Sequence, residues 1–133
     1  MTPRGVRNRN PGNLRHSSAR WLGMAAKQTD PDFVQFTAPK WGIRALYRVL
    51  RTYQVKHGLA TIAEIIGRWA PPNENDTGAY ARAVAKACGV APDDVIDIVT
   101  DKAMAANLVM AIIRHENGQQ PYSLSEINAG LNA

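Results

Sequence analysis

Cysteine is almost absent from this chain: Cys88 is the one thiol among 133 residues. A lone cysteine excludes an internal disulfide and a cysteine-based metal site. Its place on the apolar side of a helical pattern makes it a small core residue. Long hydrophobic runs are missing as well. No window approaches the ~18 consecutive apolar residues of a membrane span. The basic start, Met1-Thr2-Pro3-Arg4-Gly5-Val6-Arg7, leads into no apolar stretch of the kind a cleavable secretion signal requires. His16, His57 and His115 are not at ligand spacing with one another or with paired carboxylates, so no metal and no cofactor is expected. There is no Gly-rich phosphate loop and no Ser-His-Asp arrangement.

What the chain does have is positive charge, a formal net +5 on a composition that is 45% hydrophobic and 20% charged. An excess of that sign implies an anionic partner, and two polymers fit: nucleic acid and the acidic bacterial wall. The basic residues cluster loosely in 4–20 and 44–56, with no RNP-like, zinc-finger or helix-turn-helix signature beside them. The length suits one domain able to bury most of its apolar surface.

Residues 8–38 and 39–133 read differently. The first stretch is rich in turn formers, among them Asn8, Asn10, Pro11, Gly12, Asn13, Gly23 and Pro31. Inside it, 20–24 and 33–37 are short aromatic or β-branched runs separated by Lys27-Gln28-Thr29-Asp30-Pro31, which predicts a small β-hairpin or three-stranded piece. From Pro39 the pattern is helical. Ile43, Leu46, Tyr47 and Leu50 keep i, i+3, i+4, i+7 spacing up to His57, and Gly58 is a natural helix stop. Thr61-Ile62-Ala63-Glu64 reads as a capping box for a helix that Pro71-Pro72 terminates. Asp76 or Thr77 caps a third helix ending at Gly89, a turn follows around 92–98, and Thr100 or Asp101 opens a strongly apolar helix stopped by Gly118. Ser123-Leu124-Ser125-Glu126 is a further capping box. The fold class is α+β, mostly α-helical, with a small N-terminal β element.

The chemistry points to Ala111-Ile112-Ile113-Arg114-His115-Glu116-Asn117-Gly118. An apolar helix here closes by presenting a carboxylate just before its stop. The helix C-terminus disfavours added negative charge by ~0.3–1 kcal/mol, and the neighbouring Ile112 and Ile113 act in the same direction by desolvation. That suits a general acid, the group glycosidic-bond cleavage needs to protonate a leaving oxygen. His115 points about 100° away around the helix and is expected to be packed or solvated. Glu74, on the Pro-stiffened loop 71–77, is a second acidic candidate, whereas Asp76 is plain capping material. Asp30 and Asp32 flank Pro31 as turn residues, with Asp30 also a possible catalytic partner. Trp21, Trp41, Trp69, Tyr80 and Tyr122 could stack on sugar rings; Trp69 sits on an apolar stripe and reads as core, and Tyr122 is the better cleft residue.

The end of this helix resembles the catalytic helix of lytic transglycosylases and phage lysozymes. Taken with Arg7-Asn8-Arg9-Asn10-Pro11-Gly12-Asn13-Leu14-Arg15, Gly42-Ile43-Arg44-Ala45-Leu46, the run 68–77 and the run 114–123, the chain is similar to phage lysins and virion-associated muralytic proteins of the lysozyme-like superfamily. The resemblance implies one lysozyme-like catalytic domain over 1–133, cleaving the MurNAc–GlcNAc bond of peptidoglycan with Glu116 as general acid/base. In ordinary members the catalytic helix comes early and the cleft-lining β-hairpin follows. Here the chain ends 17 residues after Glu116, so the resemblance implies a circular permutation in which 8–38 supplies the cleft wall, with Asn13 and Gln35 as its polar substrate-binding residues. The expected partner is peptidoglycan, with no nucleic acid and no membrane span, acted on by a monomer in the periplasm after delivery by a holin, virion or secretion system. The rival readings are a peptide-cleaving lysin and a non-catalytic wall-binding virion protein.

Overall fold

A computed structural model describes residues 2–133. Six helices follow one another: α1 (Arg4–Arg7), α2 (Pro39–His57), α3 (Ile62–Trp69), α4 (Thr77–Cys88), α5 (Lys102–Asn117) and α6 (Leu124–Asn132). Their ends are set by local chemistry. The Asp76, Asp101 and Ser123 side chains each accept a backbone N–H of the first turn that no carbonyl can reach, opening α4, α5 and α6. Thr61 does the same for α3, but the returning half of the expected capping box is shifted: the Glu64 carboxylate accepts from the Ala60 N–H and the Thr61 hydroxyl. Gly58, Gly89 and Gly118 end α2, α4 and α5.

α5 is the central helix, in contact with α1, α2, α4 and α6. Its buried positions, Ala105, Leu108, Val109, Ala111, Ile112 and Ile113 among them, run around most of its circumference, as a helix packed on several sides requires. The main core joins Leu46 and Leu50 of α2 with Ile65 and Ile66 of α3, Val84 of α4 and Ile127 of α6. Among the described residues no helix is long and apolar enough to cross a membrane.

The N-terminal segment corrects the sequence reading. In place of a β-hairpin or three-stranded piece there are two isolated bridges, Arg15 with Phe33 and Met24 with Phe36. The alternation is real, since Val34 and Phe36 are buried while Phe33 and Gln35 are not. What is missing is a continuous ladder: scattered backbone bonds, such as Val34 N–H to Leu14 O and Ala25 N–H to Gln35 O, are interleaved with bonds from side-chain amides. Asn10 Nδ2 donates to the carbonyls of Leu14 (3.0 Å) and Val34 (2.8 Å). Gln28 takes the amide and carbonyl of Gln35. Val34 and Phe36 then form a second, smaller core with Ala45 of α2, covered by Leu14, Trp21, Met24 and Trp41.

The turn at Asp30-Pro31-Asp32 is organised by Asp30, whose carboxylate accepts the N–H groups of Asp32 and Phe33. The Arg4 guanidinium, with its Nε 2.7 Å from Asp30 Oδ2, holds this carboxyl well below the usual carboxylate range. A carboxyl with a lowered folded-state pKa contributes stability in full above its unfolded value of ~3.9, and loses it as pH falls toward the folded value. Acid should therefore loosen residues 8–38 before the helices. Amide NMR shifts of Val34 and Phe36 should move between about pH 4 and about pH 2, ahead of those of Leu108 and Ile112. In Asp30→Asn that early transition should disappear.

Candidate active site

Gly118 adopts φ 72°, a left-handed conformation that a Cβ would strain, and it stops α5 one residue after Asn117. Glu116 is thereby held in the final turn, half-buried, with both carboxylate oxygens engaged. Oε2 accepts from the Tyr80 hydroxyl at 2.7 Å. Oε1 accepts from Asn13 Nδ2 at 3.3 Å, across 103 residues of sequence. Among the described residues no cation lies within ion-pair distance of this carboxyl; its two partners are neutral donors.

Each donor is itself fixed. Tyr80 is 1% exposed on α4, and its hydroxyl accepts from Trp69 Nε1 at 3.1 Å while donating to Glu116. The exposed His115 ring stacks on the Tyr80 ring with centroids 3.6 Å apart, so it is both solvated and in contact with the packed tyrosine. Burial, and secondarily the Glu116 charge and hydrogen bond, push the Tyr80 phenol far above its ordinary pKa. Tyr80 therefore keeps its proton and donates a hydrogen bond to the Glu116 carboxylate at neutral pH. Asn13 sits at φ 52°, a left-handed conformation that asparagine tolerates better than most side chains. Its loop is stapled to the end of α5 by Asn117, whose Nδ2 donates to the Pro11 carbonyl at 2.8 Å and the Ile113 carbonyl at 2.9 Å.

The two carboxamide oxygens of this staple, Asn13 Oδ1 and Asn117 Oδ1, are buried without a hydrogen-bond partner. Both lie against Gly5 of α1: a Cβ there would stand 2.5 Å from the Asn117 oxygen and 2.7 Å from the Asn13 oxygen. Gly5→Ala should therefore displace the amide that orients Glu116, although alanine is ordinarily favoured over glycine in a helix by ~0.5–1 kcal/mol. A lowered Tm is the expected result, because the clash with both amides outweighs the helix preference. Thermal melting checks it.

Glu116 opens onto a cleft of about 340 Å³. Residues 12–15 and Phe33 supply part of its lining; Tyr53 of α2, Trp69 at the end of α3, and the loop residues Glu74 and Asn75 supply more. The structure thus brings together three of the residues singled out in the sequence, namely Glu116, Glu74 and Asn13. Glu74 is exposed on the loop, next to the Asp76 that caps α4.

Three others are not in the cleft lining. Asp30 is committed to Arg4, Asn8 and its own turn. Gln35 braces the same turn: its Oε1 accepts from the Thr29 and Asp30 amides, and its Nε2 donates to Asn8. Tyr122 is core rather than cleft, at 9% exposure. Gln120 clasps the Tyr122 backbone through both its N–H and its carbonyl, and the ring packs among the core residues. Trp69, read from the sequence as a core residue that could also stack on a sugar ring, is half-buried: it packs against the main core and also lines the cleft while donating to Tyr80. The pairing of Tyr80 with Glu116 escaped the sequence reading altogether. The sequence marked Tyr80 only as an aromatic that could stack on a sugar, and only the docking of α4 on α5 shows what its hydroxyl meets.

Fold and site together define a mostly helical domain whose N-terminal loop and helix ends close around a carboxylate-bearing cleft. No family model matches the sequence. The chain is 43% identical over 131 residues to Protein P5 of Pseudoalteromonas phage PM2, an alignment that covers 96% of this chain and 79% of that protein. The chain belongs to the family of that phage protein.

Proposed function

We propose that this protein is a peptidoglycan-cleaving enzyme that breaks the MurNAc–GlcNAc glycosidic bond, as a lytic transglycosylase or a lysozyme-type muramidase, with Glu116 as general acid/base. The observation that carries the reading is the Glu116 carboxyl facing a cleft while two neutral donors from distant segments, Tyr80 and Asn13, fix its orientation. In the acid step the protonated carboxyl gives its proton to the bridging oxygen as the C1–O bond breaks. The resulting carboxylate then accepts a proton from the nucleophile that attacks C1. If that nucleophile is the 6-hydroxyl of the same MurNAc, a 1,6-anhydro product forms; if it is water, the product is a reducing sugar. Glu74 lines the same cleft and is the carboxylate available to assist the hydrolytic route.

The architecture is read accordingly as a circularly permuted lysozyme-like domain. In support, the 8–38 segment is tied to the C-terminal end of α5 by the Asn13–Glu116 and Asn117–Pro11 bonds, which span 103 and 106 residues. A zymogram tests the activity: a clearing zone in embedded bacterial sacculi supports it, and an intact gel with refolded protein refutes it. The phage origin of the relative agrees with a lysin.

A further inference from the structure

Arg15 differs from every other charged group around the cleft. Its backbone is pinned to the opposite chain segment by the bridge to Phe33 and by two flanking bonds, Val34 N–H to Leu14 O at 3.0 Å and His16 N–H to Asp32 O at 3.2 Å. Its guanidinium lies 5.2 Å from the centre of the Phe33 ring. Arg4 approaches the same ring at 4.5 Å, but Arg4 is already neutralised by Asp30 and Asp32. Arg15 has no carboxylate within ion-pair distance, and among the described residues it is the one cation lining the cleft. The other charges in that lining are the acids Glu74 and Glu116.

A cation rested on an aromatic face loses less freedom when it binds than one waving in water. A planar guanidinium is moreover matched to a carboxylate through two parallel hydrogen bonds. The two acids repel an anionic substituent from their part of the cleft and Arg15 attracts it, so the charge pattern orients such a ligand along the cleft. We infer that Arg15 is a substrate-binding residue that takes a carboxylate carried by the glycan, which makes this cleft selective for acid-bearing over neutral strands. The inference rests on the glycan-cleaving reading above, in which the lactyl-linked peptide stems supply those carboxylates.

The test measures binding of soluble peptidoglycan strands by calorimetry, using protein that carries Glu116→Gln so that the strands stay intact. Native strands are compared with strands whose carboxylates have been converted to amides, each with Arg15 present and with Arg15→Gln. Amidation should weaken binding about 5- to 10-fold when Arg15 is present and less than about 2-fold when it is Gln. Arg15→Lys, which keeps the charge but not the fork, should fall between. Equal sensitivity to amidation in both proteins overturns the assignment of Arg15 and leaves the glycan reading standing. Failure of the Arg15 protein to bind native strands at all overturns both.

Discussion

Replacing Glu116 by Gln should lower cell-wall cleavage by about 10²–10⁴-fold, the range that general acid/base catalysis supplies, with the fold intact. The reason for expecting an intact fold is local. The Gln carbonyl can keep accepting from Tyr80, where the carboxylate does so now at 2.7 Å. The new amide would then face Asn13 Nδ2, donor against donor. A flip of the Asn13 carboxamide removes that conflict by presenting Oδ1, an oxygen that is buried and unpartnered in the native site. The substitution thus removes the exchangeable proton and little else. A Gln variant with unchanged Tm and more than a tenth of native activity would take Glu116 out of the mechanism.

Tyr80→Phe should produce the second-largest effect, a fall of about 10- to 100-fold in kcat, corresponding to the ~1.5–3 kcal/mol of a hydrogen bond to a charged group. The ring, its stacking on His115 and its place in the core are retained. Two things are lost together: the bond that fixes Glu116 Oε2, and the acceptor for Trp69 Nε1, whose N–H is left without its partner. The second loss should lower stability by about 1 kcal/mol. Tyr80 is 1% exposed and does not line the cleft, so KM should hardly change while kcat falls. A rise in KM at constant kcat would mean that the Tyr80–Glu116 bond shapes the binding surface rather than the reacting group.

Much of the helical framework was legible in the sequence because the signals that set it are local. Asp76, Asp101 and Ser123 cap the next turn of their own chain, and Gly58, Gly89 and Gly118 stop helices already marked by apolar spacing. Glu116 was legible for the same reason, as a carboxylate placed against a helix stop. The N-terminal segment misled because its strand-like alternation is genuine while its pairing is not. Asn10, Gln28 and Gln35 add side-chain bonds between a few scattered backbone ones, and residue type alone does not say which partner an amide takes. Asn13 was singled out, but its bond to Glu116 depends on how the 8–15 loop seats on Gly5, Gly42 and Leu46. Tyr80 and Tyr122 show the same limit from two sides. Both carry a hydroxyl, and only packing decides that one meets Glu116 and the other lies buried without a partner.

The most direct measurement of the central claim is mass spectrometry of purified peptidoglycan sacculi after digestion. The account predicts soluble fragments whose glycan strands end at MurNAc, either as reducing sugars or as 1,6-anhydro sugars one water lighter, and it predicts that neither product forms with Glu116→Gln. Fragments with cut peptide stems on uncut glycan strands would contradict it, as would sacculi left whole by native, folded protein.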